Sequence, residues 1–286
     1  MADNHKRGAV LVTGANGGIG TATVRALTER GATVFATIRS DPGALAGIKG
    51  VRLVEMDVTD PASVALAAKK VGHDVAGAGL AAVVNNAGII IQGPQELIPP
   101  ADLRRQFEVN TLGPAYVSQA FLPLIRAGKG RIINVSAPTA WVPVPFLGPI
   151  GASKAALESL SAALRTELAV WRIPVVMVQP GTTKTLLFAK AEAAARNALQ
   201  DADPAQVKLY QQHLAAVEKA AANQRPSPPE TVAKAVVRAF EARRPRRWYA
   251  ASSEVRLMRF VSRLPVRVQE AMISRVFGLS GIKASA

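Results

Sequence analysis

The stretch Thr13-Gly14-Ala15-Asn16-Gly17-Gly18-Ile19-Gly20 constrains this chain more than any other. An apolar run, Ala9 to Val12, precedes it and reads as a buried strand; Thr21 to Arg30 follows and reads as a helix. Strand, glycine-rich turn and helix N-terminus in that order make an anion cradle, because the first N–H groups of a helix have no partners within it. In such a cradle Gly14 permits the tight turn and Gly18 lets backbone approach a pyrophosphate. Gly20 lets the helix pack close to the strand.

The rest of the chain keeps the same rhythm. Apolar runs at Val10–Thr13, Thr33–Ile38, Val51–Glu55, Ala81–Asn85, Arg131–Ser136 and Val175–Gln179 read as strands. Helical stretches lie between them at Ile19–Arg30, Pro61–Val71, Ala101–Ala127 and Ser153–Val170. Nearly continuous hydrophobic strands separated by helices predict an α/β fold, a doubly wound parallel sheet with helices on both faces. No repeat or linker divides the chain, so residues 1–286 are expected to form one domain. From Leu186 to Ala222 the sequence turns Ala-rich and helical, just past the C-terminal end of the sixth strand. Open α/β sheets bind ligands there, so this segment reads as a substrate lid, with a surface helix pair as the alternative. Pro226, Pro228 and Pro229 precede a helix from Glu230 to Ala242, and Trp248–Ala250 reads as a short last strand.

The formal net charge is +15, and it is uneven: from Arg238 to Ala286 there are 11 Lys and Arg against 3 Asp and Glu, a net +8. Such a tail fits an anionic partner or a solvated surface whose arginines flank subunit contacts. No nucleic-acid motif accompanies it, so no nucleic acid is expected. The extension at about residues 252–286 is amphipathic. Leu257, Phe260, Val261 and Leu264 share one helical face, Arg256, Arg259 and Arg263 lie around it, and Val268, Met272 and Val276 continue at i+4 spacing. Packing on its own domain or on a second subunit is expected ahead of contact with a membrane surface. There are no cysteines, which removes disulfides and thiolate metal sites; no metal is expected. The polar start, Met1 to Gly8, lacks the apolar core of a signal peptide, and no run of 18 apolar residues occurs. A cytoplasmic location is the expectation.

The second strand ends Ala36-Thr37-Ile38-Arg39-Ser40. Ile38 fills the place where an acidic residue would bind the ribose hydroxyls of NAD, and Arg39 is suited to a 2′-phosphate, so NADP is favoured over NAD. The ordered motifs now become specific. Thr13-Gly14 with Gly18-Ile19-Gly20, Asp57-Val58, Asn85-Asn86-Ala87-Gly88, Val109-Asn110 with Gly113, Ala152-Ser153-Lys154-Ala155-Ala156, and Pro180-Gly181 with Thr185 follow one another over roughly residues 8 to 185. In that order the chain resembles a short-chain dehydrogenase/reductase with a Rossmann fold. The resemblance implies that Gly14, Asn16, Gly18, Ile19, Gly20, Arg39, Asp57, Val58, Asn86, Ala87, Gly88, Lys154, Pro180, Gly181, Thr183 and Thr185 hold the nucleotide. It also implies a homodimer or homotetramer built on the helices Ala101–Ala127 and Ser153–Val170.

In that family a tyrosine gives a proton to a carbonyl oxygen while nicotinamide gives hydride to its carbon. A serine orients the oxygen, a lysine holds the ribose and lowers the tyrosine pKa, and an asparagine positions a water. Lys154 and Asn110 match the last two. The tyrosine position, four residues before the lysine, is Ile150; the serine position, thirteen before that, is Ala137. Ser136 is adjacent, but neighbouring side chains on a strand end point to opposite sides. Of the tyrosines, Tyr116, Tyr210 and Tyr249, only Tyr210 in the lid is placed to swing over the site, as a substitute acid alongside Thr139 and Lys154. The expected pocket walls are Ala137, Thr139, Trp141, Val144, Phe146, Ile150, Leu186, Leu187 and Phe188, so the expected substrate is an apolar small molecule. Three readings stand: an atypical NADP-dependent reductase acting on C=N or an activated C=C rather than a ketone, a catalytically silent NADP-binding protein with a sensing or partner role, and non-redox chemistry in the same pocket.

Overall fold

The computed structural model describes residues 8–282; most of the polar N-terminal stretch and the last four residues of the basic extension lie outside the described residues. Seven strands, β1 (Ala9–Val12), β2 (Thr33–Ile38), β3 (Val51–Glu55), β4 (Ala82–Asn85), β5 (Arg131–Val135), β6 (Val175–Gln179) and β7 (Trp248–Ala250), form one sheet in the order β3-β2-β1-β4-β5-β6-β7. Every neighbouring pair is parallel. The order reverses between β1 and β4, and a crevice for ligands opens beyond the carboxyl ends of the strands at such a point.

Alternate residues of the central strands feed two cores. On one face Val10, Val12, Val34, Ala36, Val84 and Val178 pack against α1 (Gly18–Thr28) and α9 (Pro229–Glu241). On the other Leu11, Phe35, Val83, Ile132 and Val175 meet α2 (Pro61–Asp74) and α4 (Gly113–Ala127), with α5 (Gly148–Glu167) alongside. This is the doubly wound α/β architecture with helices on both faces that the hydrophobic pattern predicts. β3 departs from a fully buried strand: it lies at the edge, and Arg52 and Leu53 are exposed. Buried Arg131, at the start of β5, donates to the Ala239 and Ala242 carbonyls and so caps the C-terminus of α9. Its guanidinium pKa is lowered by that burial.

The long helix expected over Ala101–Ala127 is in fact two. α3 (Pro100–Phe107) and α4 are joined by a π-helical turn, Glu108–Leu112. The sequence supplies a reason: Pro114 has no N–H to give the Asn110 carbonyl, so the regular i→i−4 ladder cannot run through that point. The lid region likewise resolves into three helices, α6 (Leu186–Asp201), α7 (Pro204–Leu209) and α8 (Gln211–Ala222). Pro204 opens α7 and Asp203 caps it, accepting from the Ala205 N–H. The chain continues into α10 (Ser253–Val261) and α11 (Val266–Val276), which follow β7. No helix among the described residues is long and apolar enough to cross a membrane.

Candidate functional site

The glycine-rich turn is locked to the turn after β4. Thr13 Oγ1 accepts the backbone N–H groups of Asn86 and Ala87, each at 3.0 Å. Asn86 Nδ2 returns two bonds, to the Thr13 carbonyl at 2.9 Å and the Gly14 carbonyl at 3.1 Å. Gly14 has φ +59°, and a Cβ on it would lie 2.8 Å from Ala87 Cα, so both its conformation and its contact require glycine. A Cβ on Gly20 would strike the Gly14 carbonyl, which is the close helix packing expected of it. A Cβ on Gly18 would meet the Thr185 methyl at 2.8 Å, so the nearest limit on Gly18 in the structure is the chain after β6.

Gly17 stands at the N-cap of α1, with no side-chain cap and no acidic residue in the first turn. The N-terminal N–H groups of α1 are therefore free to receive phosphate, and the dipole favours negative charge there. Asn16 Nδ2 donates to the Asp41 carbonyl at 3.0 Å, tying this turn to the loop that carries Arg39. Arg39 is exposed and makes no hydrogen bond or ion pair among the described residues. These features fit a dinucleotide, and the exposed guanidinium fits a 2′-phosphate. Asp57 Oδ1 accepts from the Thr59 N–H at 2.9 Å and from the Thr59 hydroxyl at 2.8 Å, and the backbone bond holds its pKa below the usual carboxylate value. Val58 is buried, and a Cβ on Gly113 would lie 3.0 Å from its methyl. Beyond β6, Pro180 and Gly181 are half-buried, and Thr183 is buried with its hydroxyl on the Gly181 carbonyl at 2.8 Å.

Lys154 and Asn110 come together beside Gly88. A Cβ on Gly88 would lie 3.3 Å from Asn110 Oδ1 and 3.8 Å from Lys154 Nζ. The Asn110 amide clamps Ile89, accepting its N–H and donating to its carbonyl, both at 2.9 Å. Lys154 is 5% exposed and its Nζ donates to the Val135 carbonyl at 2.8 Å. Burial pulls its pKa down to about 8, partly offset by the Glu158 carboxylate.

Ser136 and Ala137 follow β5, and Ala137 keeps extended backbone, in which neighbouring side chains alternate in direction. Ser136 is 2% exposed and its hydroxyl donates to Glu158 Oε1 at 2.8 Å. Ala137 is half-buried with extended backbone, and Ile150 is half-buried in the first turn of α5. Glu158 also accepts from the Trp141 indole, 2.7 Å from Oε2, and from the buried Gln179 amide. Sequence reasoning missed Glu158 and Gln179. The signal was there for Glu158, which lies one helical turn after Lys154 on the same face of α5.

Of the expected pocket walls, Trp141 also takes part in packing on the C-terminal helices. Trp141 reaches Glu158 and the C-terminal helices, with the Arg259 guanidinium 4.5 Å from its ring and Trp248 edge-on at 5.8 Å. Val144 is buried and Leu186 is 76% exposed. Phe146 adopts φ +63°, its carbonyl accepts from the Gly93 N–H at 2.9 Å, and its ring meets Tyr210 edge-on. Tyr210, at the α7–α8 junction, donates its hydroxyl to Glu96 Oε2 at 2.8 Å, and that bond raises its pKa. The α7–α8 junction is thus fastened to the loop after β4. Under α6 lies a narrow apolar cleft between Ile91, Pro94, Leu97, Ala194, Ala195 and Ala198. The Thr139 hydroxyl is buried without a partner.

The family model described as short chain dehydrogenase matches residues 8–196. Estradiol 17-beta-dehydrogenase 2 of Rattus norvegicus is 40% identical over 186 residues, which cover 62% of this chain and 48% of that one. The match thus spans about half the length of that relative. The NADPH-dependent 3-dehydrocapnine reductase of Ornithobacterium rhinotracheale is 30% identical over 278 residues, covering 93% of this chain and 95% of that one. Among solved structures, a short chain dehydrogenase from Burkholderia cenocepacia in complex with NADP superposes with a TM-score of 0.73 at 25% identity, covering 95% of this chain and 99% of that one.

Proposed function

The chain belongs to the short-chain dehydrogenase family, and from that premise we propose that it is an NADP(H)-dependent reductase of an apolar small molecule whose acceptor bond needs no tyrosine acid, a C=N or an activated C=C rather than a ketone. The observation that carries this reading is the pairing of Lys154 and Asn110 beside Gly88 with apolar side chains at 137 and 150. The NADPH-dependent relative and the NADP-bound structural neighbour support the nucleotide, and free Arg39 supports its phosphorylated form.

The nucleotide, when bound, supplies hydride. The α1 N-terminus and Gly14–Gly20 turn would hold its phosphates, Arg39 the 2′-phosphate, and Lys154 Nζ the ribose hydroxyls. Asn110 fixes Ile89 and with it the floor of the crevice. Ala137 and Ile150 exclude water and offer no O–H, so a carbonyl oxygen there would gain negative charge unassisted. An iminium carbon that takes hydride becomes a neutral amine carbon and calls for no proton. With an activated C=C as acceptor, the carbon left carrying negative charge would take its proton from solvent or from Lys154 Nζ, whose lowered pKa of about 8 suits that delivery. Tyr210 as proton donor would first have to release Glu96.

The test is NADPH consumption against cyclic imines, enones and ketones. Imines or enones are expected to turn over and simple ketones to react poorly. Ile150→Tyr with Ala137→Ser is expected to raise ketone reduction by about 10²–10⁴, the usual worth of a positioned acid. Ketone turnover by the wild type equal to that of the double variant overturns the reading. Tight NADPH binding with no turnover of any class would favour a silent nucleotide-binding protein, to which the two apolar replacements also point.

A further inference from the structure

The basic C-terminal helix pair has two faces, and only one is used. Val255 and Val261 of α10 and Ile273 of α11 are buried; with Met258 and Phe277 they pack on Val142 and Trp141. The face read in sequence as one stripe is therefore split. Val261 goes inward, while Leu257 remains 62% and Phe260 60% exposed. On α11, Val268, Met272 and Val276 form a second exposed stripe at i+4 spacing, and Val276 is 68% exposed.

The charges around these stripes are of one sign. Arg256 and Arg263 flank Leu257 and Phe260 on the helix surface, and Arg267 and Arg275 accompany the α11 stripe. None of these four makes an ion pair among the described residues. Arg259 is different, because it packs on both the Trp141 and Trp248 rings. The acidic residues of the pair are Glu254, beside Gly181, and exposed Glu270. An exposed apolar stripe edged by free arginines is complementary to an anionic lipid surface, whose acyl region takes Leu257 and Phe260 and whose headgroups take the guanidinium groups. A symmetric contact with a second copy of the same face would instead bring like arginines together across the axis.

The pair also borders the candidate site. A Cβ on Gly181 would lie 2.9 Å from Ser252 Oγ and 3.0 Å from Glu254 Oε2, so the start of α10 abuts the loop after β6. Arg259 and Met258 hold Trp141, four residues past Ala137. Gly278, just past α11, lies beside Ala216 of the lid helix α8, 3.8 Å from where its Cβ would be.

We propose that α10 and α11 dock this protein on an anionic lipid bilayer through Leu257, Phe260 and the α11 stripe, with Arg256, Arg263, Arg267 and Arg275 on the headgroups. The docked face lies next to the lid and the loop after β6. A molecule dissolved in the bilayer then has a short path to the cleft.

Flotation of the full chain with phosphatidylcholine vesicles, with and without phosphatidylglycerol, tests this. The wild type is expected to float with the anionic vesicles, not with phosphatidylcholine alone, and to be released by high salt. Leu257→Glu with Phe260→Glu is expected to lower the bound fraction about tenfold or more, and Arg256→Gln with Arg263→Gln to abolish the preference for anionic lipid. Both pairs are on the surface, so the melting temperature and NADPH titration of each variant should match the wild type. Failure of the wild type to float, or equal flotation by the glutamate variant, overturns the proposal. So does light scattering that shows the glutamate variant breaking a wild-type oligomer into smaller species without any vesicle binding, since a second copy would then be the occupant.

Discussion

Lys154 is where function and stability pull apart. A buried ammonium is disfavoured unless paired, and its one hydrogen bond, to the Val135 carbonyl, does not restore its ordinary pKa. The sign of the effect follows from the two proton affinities. Between about pH 8, where the folded lysine releases its proton, and 10.5, where the unfolded one does, the unfolded chain holds the extra proton. Stability should therefore rise as pH climbs through that window, and below it the buried charge costs on the order of 3 kcal/mol. Lys154→Met removes the charge and keeps the length. Denaturation curves from pH 7 to 10 should show the wild type gaining on the variant as pH rises, with the variant at least as stable at pH 7 and weaker in binding NADPH. Parallel pH profiles for the two proteins would mean that the ammonium is better solvated than its burial indicates. Glu158 belongs to the same calculation: three donors, from Ser136, Trp141 and Gln179, keep this carboxylate in place one turn beyond Lys154.

At the scale of elements, residues 186–222 form three helices that bury little besides Ala191. Such segments open at low cost, and the contacts that fasten them carry a large share of their order. Tyr210 is the clearest fastening, with its hydroxyl on Glu96 and its ring on Phe146. Tyr210→Phe keeps the ring contact and removes the bond. The expected result is faster amide exchange across α7 and α8 with a change in global stability of about 1 kcal/mol or less. Turnover should change by far less than the 10²–10⁴ that loss of a proton donor brings; a loss of that size would make Tyr210 the acid. The sheet was legible because parallel strands buried on both faces are written as unbroken apolar runs. The break at Asn110 was not, since the apolar periodicity of residues 101–127 continues through it. Only Pro114, read as a missing donor to one carbonyl, marks the place. The packing of Trp141 was not legible either, because its partners Arg259 and Trp248 lie more than a hundred residues on.

At the scale of the whole molecule, the candidate nucleotide crevice is assembled from segments that only the fold brings together: the turn at 13–20, the turn at 86–88, the π-helical break at 108–112, Lys154 on α5 and the chain at 181–185. A ligand that bridges so many segments stabilises the folded state by mass action, by about 2.7 kcal/mol at a hundredfold excess over its dissociation constant. Thermal unfolding is thus a direct readout of which nucleotide the crevice takes. The part of the choice that lies in sequence is local, Ile38 where an acid would sit and Arg39 beside it. The structure adds that Arg39 is exposed and that Asn16 ties its loop to the glycine-rich turn through the Asp41 carbonyl. NADPH should therefore raise the melting temperature by about 5 °C or more at that excess, and NADH by less at equal concentration. Arg39→Ala should leave the unliganded melting temperature nearly where it is and weaken NADPH about tenfold, closing most of the gap to NADH, because the side chain makes no hydrogen bond or ion pair among the described residues and its one expected partner is the 2′-phosphate. A gap that survives the substitution would place the selectivity elsewhere on the rim, and equal shifts by both nucleotides in the wild type would mean that Arg39 does not read the phosphate.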